Sequence, residues 1–120
     1  MEEMNLKNYA YLGDAVWELF IRKKTVKITE NAKKLHKIST EKVKASFQAF
    51  LLQNLEGILT EEEREISRRA RNLSIPVGRR NIQADYRQAT AFEALIGWWY
   101  EKNKERLDFV LKFLEKFVIF

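Results

Sequence analysis

Two carboxylates lie in segments of the sequence that otherwise look buried. Glu93 is the one charged residue in "ATAFEALIGWWY", residues 89–100, and Asp14 lies in "NYAYLGDAVWELFIR", residues 8–22. An ionised carboxylate is costly to remove from water unless it is paired, neutralised or bound to a metal. Each of these acids therefore needs a partner, and the chemistry of the chain depends on what that partner is.

Small residues close to both acids predict that the two segments approach each other. On a helix, Ala89 and Gly97 lie one turn before and after Glu93, on its own face. Gly13 precedes Asp14 and costs about 1 kcal/mol relative to Ala inside a helix, which indicates tight packing there. If the two helices pack together, Asp14 and Glu93 face each other across one crevice, where they repel unless a cation lies between them or one takes up a proton.

The residue inventory limits which cation this can be. The chain has no Cys and one His, so zinc is a poor candidate. Carboxylate oxygens and water are the preferred ligands of Mg²⁺, with Mn²⁺ as a possible substitute. A plain ion pair between Glu93 and an Arg or Lys remains the alternative. His36 is more typical of a packing or surface histidine than of a catalyst, and the sequence contains no glycine-rich phosphate loop.

Arginine is concentrated in one stretch of the chain. The net charge is +5, and residues 64–87 carry seven Arg and no Lys against two acids, so this window holds the whole excess. The planar guanidinium matches phosphate oxygens in two-point contacts that Lys cannot make. The pattern fits two interpretations, a solvated helix face followed by a basic loop, or an edge that binds a polyanion, most simply nucleic acid, and the stretch alone does not decide between them.

Helical periodicity predicts the elements that must position these groups. The 120 residues, 46% hydrophobic with one Pro and four Gly, suit one all-α domain over residues 1–120, with about six helices and no membrane span. We expect a first helix over about 6–24 with Tyr9, Leu12, Val16 and Leu19 toward the core, and a second after a Thr29 cap. A third follows Ser39 or Thr40, with Val43, Phe47, Phe50, Leu51 and Leu55 at core spacing, and ends near Gly57. The fourth helix begins with a capping box at Thr60 and Glu63, and residues 73–83 after it form an exposed loop. The fifth helix covers residues 84–102, and Asn103 caps the start of the sixth.

Longer motifs resemble a known family. "YLGDAVWEL" resembles the signature helix of the ribonuclease III catalytic domain, and "TAFEALIG" resembles its second acidic helix. With "LHKISTEKVKASFQA" and "LTEEEREISRRARN" in the same order, residues 6–102 resemble Mini-ribonuclease III, the short form without a separate double-stranded-RNA-binding domain.

This resemblance implies a function and a set of site residues. It implies a homodimeric, magnesium-dependent endonuclease that cleaves double-stranded RNA in ribosomal RNA precursors, with Asp14 and Glu93 as catalytic metal ligands. Where the longer enzymes carry two further acids this chain has Ala10 and Thr90, so we expect more waters around the metal, one of them held by Thr90. Tyr11 resembles the dimer-contact aromatic. We expect RNA contacts from Arg71, Asn72, Arg79, Arg80, Asn81 and Arg87.

Two other functions remain open at this level. One is a catalytically silent RNA-binding scaffold of the same fold, favoured by the missing acids at positions 10 and 90. The other is a helical interaction module whose acids only form ion pairs. We expect no small-molecule cofactor, no membrane association and a cytoplasmic location, because the first residues lack the layout of a secretory signal.

Overall fold

All regular secondary structure in the described part of the chain is helical. The computed structural model describes residues 4–75 and 83–120, and within these ranges it contains six α-helices, one short 3₁₀-helix and no β-strand. The all-α prediction is confirmed. In chain order the helices are α1 (Leu6–Thr25), α2 (Ala32–Val43), α3 (Ala45–Leu55), α4 (Glu61–Arg71), α5 (Gln83–Lys102), α6 (Lys104–Leu114) and the 3₁₀-helix Glu115–Phe117.

Helix α5 runs through the middle of the fold. It packs against α1, α3, α4 and α6, and its contact with α1 is the most extensive in the molecule. Phe92, Leu95 and Trp99 on α5 have no solvent-exposed surface. A helix that is apolar on every side is expected at the centre of a domain. Because α5 is central, a polar residue on it has to be satisfied by its neighbours.

The helix boundaries follow local chemistry, and two predicted caps are wrong. The capping box of Thr60 and Glu63 and the Asn103 cap are confirmed, and α3 ends at Leu55, just before Gly57. The cap of α2 is Asn31, whose side chain accepts from the N–H of Lys34, and not Thr29. Ser39 and Thr40 lie inside α2; α3 follows Lys44, whose side chain makes no capping bond.

Two of the residues predicted for the core, Leu19 and Phe50, are exposed, although Tyr9, Leu51 and Leu55 are buried as predicted. Leu19 is 60% exposed, whereas Trp17 and Ile21 on the other side of α1 are fully buried. In α3, Phe50 is 45% exposed and Gln48 is buried instead. Both helices carry apolar residues on more than one side, so periodicity alone does not choose the face. The choice is made by α5, which α1 meets through Gly13 and α3 meets beside Gln48.

One buried acid has the paired arrangement that a structural carboxylate requires. Glu63 is 4% exposed and accepts hydrogen bonds from the N–H of Thr60 at 2.8 Å, from Trp99 Nε1 at 2.8 Å and from Arg106 at 2.8 and 2.9 Å. Burial raises the pKa of Glu63, but the bonds from Arg106, Thr60 and Trp99 outweigh it and leave the pKa below its usual value. Glu63 therefore stays ionised and ties α4 to α5 and α6.

Candidate active site

Two glycines allow α1 and α5 to cross at backbone contact. A Cβ atom on Gly13 would overlap the carbonyl oxygen of Glu93, and a Cβ on Gly97 would overlap the carbonyl oxygen of Tyr9. Any side chain at either position would push the helices apart. The crossing explains the small residues around both acids, because it sets Asp14 and Glu93 beside each other.

Both acids line one cavity of about 320 Å³. Asp14 is exposed at its edge and Glu93 is half-buried. Three segments form the wall: the first half of α1, the end of α4 with the residues that follow it, and α5. In that order they contribute Lys7, Ala10, Tyr11 and Asp14; Ala70, Arg71, Leu73, Ser74 and Ile75; and Tyr86, Arg87, Thr90 and Glu93.

The surroundings of Glu93 raise its pKa, whereas those of Glu63 lower its pKa. Burial raises the pKa of Glu93 to about 8, and the negative charge of Asp14 and a hydrogen bond between the two carboxyl groups act in the same direction. The one opposing contact comes from Gln48, whose Nε2 lies 3.4 Å from Oε2 of Glu93. No ion pair formed within residues 4–75 and 83–120 includes Glu93. In the described residues, Glu93 is therefore hydrogen-bonded to a neutral amide and to another acid, and not to a cation.

The donor atoms at this site suit a hard divalent cation. Asp14 and Glu93 offer carboxylate oxygens, and Thr90 adds a hydroxyl oxygen that also donates to the carbonyl of Tyr86 at 2.9 Å. Among the described residues no group of three or more Asp, Glu, His or Cys is arranged so that it could hold a metal ion. Mg²⁺ typically takes one or two protein carboxylates and completes its shell with water and phosphate. His36 lines a different cavity, between α1 and α2, and brings no nitrogen ligand to this one.

Cationic side chains stand at the rim of the same cavity. The Arg71 guanidinium donates to Ser67 Oγ at 3.0 Å and lies 4.0 Å from a carboxylate oxygen of Glu56, and its side chain is 30% exposed. Asn72, at the end of α4, is exposed. Arg79, Arg80 and Asn81 lie outside the described residues.

Arg87 faces protein atoms. Its Nη1 donates to the carbonyl oxygens of Arg71 and Leu73 at 2.6 and 3.3 Å. With the Gln83 amide turned so that its hydrogen bonds are satisfied, Nε and Nη2 of Arg87 lie 3.1 and 3.0 Å from its oxygen. Arg87 therefore holds the end of α4 against the start of α5, which shapes the cavity wall.

Two polar residues of the site are absent from the sequence-based predictions. Lys7 lies seven residues before Asp14, two helical turns away on the same face, and its Nζ donates to Ser74 Oγ at 3.3 Å. That spacing is a usable signal. Gln48 lies three and seven residues before Leu51 and Leu55, on the buried face of α3, but nothing in the sequence connects it with Glu93, 45 residues away.

Comparison with known proteins identifies the family. The Ribonuclease III domain model matches residues 7–104. The chain belongs to the ribonuclease III family. It is 40% identical over 117 residues to the Mini-ribonuclease 3 of Gloeobacter violaceus, covering 98% of this chain and 87% of that protein. With the Mini-ribonuclease 3 of Clostridium tetani it shares 39% identity over 93% of this chain and 77% of that protein.

A solved structure has the same ribonuclease III fold. The crystal structure of a Fusobacterium nucleatum protein superposes with a TM-score of 0.84 and 32% sequence identity, over 98% of this chain and 97% of that one. The family and these relatives make the chain an endoribonuclease of the ribonuclease III type. No helix of the described part is long and apolar enough to cross a membrane.

Proposed function

We propose that this ribonuclease III family member hydrolyses double-stranded RNA with Mg²⁺, or Mn²⁺ in its place, held by Asp14 and Glu93. The observation that carries the proposal is that the carboxyl groups of Asp14 and Glu93 meet in one cavity and that no ion pair of the described residues includes Glu93, so the two acids can keep only one negative charge between them unless a cation supplies a positive one. A divalent ion supplies that charge, and when bound it provides a water of lowered pKa and stabilises charge on the phosphate.

The surrounding residues have separable tasks. Gln48 orients the Glu93 carboxylate through Nε2, and Thr90 offers its hydroxyl oxygen to a water beside the acids. Arg71, Asn72 and Lys7 lie where the phosphates of a bound duplex would pass. Arg79, Arg80 and Asn81 extend this set in our proposal, and Arg87 shapes the wall. We further propose ribonuclease action on ribosomal RNA precursors in the cytoplasm, as the resemblance of the motifs around Asp14 and Glu93 to Mini-ribonuclease III implies.

Cleavage of a long RNA duplex, with Mg²⁺ and with chelator, tests the proposal. We expect cleavage by the wild type that both EDTA and Asp14→Asn abolish, while duplex binding persists. Arg71→Gln should instead weaken binding and reduce the slope of log affinity against log salt by about one, because one phosphate contact is lost. Duplex binding without cleavage at any Mg²⁺ concentration would instead identify the silent scaffold.

The exposed face of α1 supports a homodimer. Tyr11 is 84% exposed, Leu19 is 60% exposed and Val26 is 61% exposed. At these spacings the three side chains fall on one side of α1 and of Val26, the residue that caps it, and Tyr11 is the one beside Asp14. Large apolar side chains exposed on one side of a helix are typical of a protein–protein contact. We propose that two copies pack through these residues, so that the two-fold axis of the dimer relates their two cavities.

Sedimentation velocity measures the oligomer directly. We expect a dimer for the wild type and a monomer for Leu19→Glu, because a charge in the centre of an apolar contact is left unpaired. Phe109→Glu, an equally drastic change at an exposed position on α6, is the matched control and should remain dimeric. A monomeric wild type at tens of micromolar would contradict the proposal.

A further inference from the structure

Most phenylalanines of this chain lie on its surface, among lysines. Phe is among the residues most often buried in proteins. Here Phe92 is fully buried, whereas the other seven of the eight Phe are half-buried or exposed. Six of these seven, all except Phe109, lie on a surface formed by the ends of α1 and α2, by α3 and by the C-terminal segment. We define the lysine–phenylalanine surface as Phe20, Phe47, Phe50, Phe113, Phe117 and Phe120 with Lys23, Lys24, Lys27, Lys42 and Lys116.

The rings are arranged as a connected platform. Ring centroids are 6.0 Å apart between Phe47 and Phe50, 5.8 Å between Phe50 and Phe117, and 6.1 Å between Phe113 and Phe117. Phe120 extends the platform toward Phe20, since both line one cavity. Phe50 and Phe120, at 45% and 47% exposure, present ring surface to solvent.

The lysines are held in place without being neutralised. Nζ of Lys42 lies 4.9 Å from the Phe47 ring centroid, and Nζ of Lys116 lies 4.2 Å from that of Phe113. A cation over a ring is attracted to it but keeps its charge. In the described part of the chain Lys42 and Lys116 make no ion pair, and the surface contains one, between Lys24 and Glu115. Ordered positive charge is therefore available to an anion.

A polar groove joins this surface to the carboxylate cavity. Phe50 and Arg71 line the same groove between α3, α4 and α5, and Arg71 also lines the cavity that holds Asp14 and Glu93. The groove contributes hydroxyl and amide groups from Ser46, Gln53 and Gln88, with acids at its sides. Such groups hydrogen-bond the 2′-hydroxyls and base edges of RNA.

We propose that the lysine–phenylalanine surface binds an unpaired RNA strand that continues from the duplex held at the active site. Aromatic platforms stack bases of any sequence, and lysines beside them hold the phosphates; together they are the usual features of single-strand binding. The proposal rests on the proposed function in one respect, that the ligand is RNA. It adds a substrate preference, for duplexes with single-stranded extensions, and one contact surface for the extension.

Binding of a fluorescein-labelled 12-nucleotide oligouridylate in EDTA tests the surface without cleavage. We expect Lys23, Lys42 and Lys116 replaced together by Gln to weaken binding at least about tenfold and to reduce the salt slope by about two. Phe120→Ala and Phe50→Ala should each weaken it about fivefold or more, with the salt slope unchanged. Circular dichroism checks that all variants are folded.

A second triple variant tests whether the loss of binding is specific to this surface or follows from the loss of any three lysine charges. Lys33, Lys34 and Lys104 are exposed lysines elsewhere, and Lys104 also packs over a ring, that of Tyr100. Replacing these three by Gln should change affinity less than about twofold. Equal weakening by both triples, no measurable binding by the wild type, or binding to phosphatidylserine vesicles but not to the oligonucleotide would each overturn the proposal.

Cleavage assays then connect the surface to the active site. The wild type should show a lower KM for a duplex with a single-stranded extension than for a blunt duplex of the same sequence. The Lys23/Lys42/Lys116 variant should lose this difference and keep the wild-type kcat on the blunt duplex. If no duplex is cleaved, the proposed function fails, while the EDTA binding result still decides whether the surface binds a single strand.

Discussion

Glu93→Gln is expected to lower the RNA cleavage rate by about 1,000-fold or more and, at the same time, to stabilise the metal-free protein at neutral pH. The first effect follows because one of two charged ligands is lost; 1,000-fold corresponds to about 4 kcal/mol, within the several kcal/mol that a metal contributes to phosphate chemistry. The second effect follows because Gln keeps the hydrogen-bonding shape of the protonated acid without its proton affinity. Few changes both stabilise a protein and abolish its activity unless they fall in an active site.

The pH dependence gives the sign of the stability effect. The pKa of Glu93 is raised to about 8 in the folded protein, from its ordinary value of 4.5. The folded state therefore holds a proton that the unfolded state releases between pH 4.5 and 8, and the stability of the wild type falls over that interval. The accumulated loss is on the order of 5 kcal/mol at most. In EDTA, the melting temperature of Glu93→Gln minus that of the wild type should increase by several degrees from about pH 5 to about pH 8.

Asp14→Asn is the control for this interpretation. It removes the charge that helps to raise the pKa of Glu93 and leaves burial, the largest cause, in place. The pH-dependent difference should shrink but persist, and cleavage should still be lost. A Glu93→Gln variant whose stability follows the wild type in parallel from about pH 5 to about pH 8 would contradict a protonated Glu93 and would point to an ion pair instead.

The site was predictable where its signals are local in the sequence. Gly13 beside Asp14, and Gly97 one turn from Glu93, are short-range patterns whose cost inside a helix has to be offset by packing. They correctly indicated that α1 and α5 meet and that the acids converge. The capping box at Thr60 was predictable for the same reason, since both partners lie within one turn.

The rest depends on contacts between distant segments. Trp17 and Leu19 lie on opposite sides of α1, and the sequence gives no reason why one meets α5 and the other stays exposed. The spacing of Phe50 fits the core face of a helix, although the structure places it on the lysine–phenylalanine surface. The lysines of that surface come from distant segments, so their grouping is produced by folding and is invisible in the net charge. A single sequence therefore predicts which segments are helical better than it predicts which face of each helix is buried.

The glycine crossing gives the largest expected effect on stability. In Gly13→Ala the new methyl group would overlap the Glu93 carbonyl oxygen, which is backbone and cannot rotate away. Overpacking of this kind costs about 1–3 kcal/mol and occasionally more, against a gain of about 1 kcal/mol in helix propensity. Because the overlap here is with backbone, we expect a net loss of at least about 2 kcal/mol, seen as a melting temperature lower by roughly 8 °C or more. Gly97→Ala should behave in the same way.

Two further variants separate the crossing from other causes. A Cβ atom on Gly57 would have open space around it, with nothing beyond its chain neighbours within 4 Å, so Gly57→Ala should leave stability within about 0.5 kcal/mol of the wild type. Val110→Ala removes buried methyl groups from α6, far along the chain from the acids, and should cost about 2 kcal/mol. Cleavage is then compared at a temperature where both variants are folded. Val110→Ala should retain the wild-type cleavage rate, whereas the rate of Gly13→Ala should fall at least about tenfold. The rate falls because a separation of α1 from α5 moves Asp14 away from Glu93, and misplacements of about 1 Å lower rates by that factor or more. Equal activity of the two variants would mean that the glycines serve folding alone and that the distance between the acids is set elsewhere.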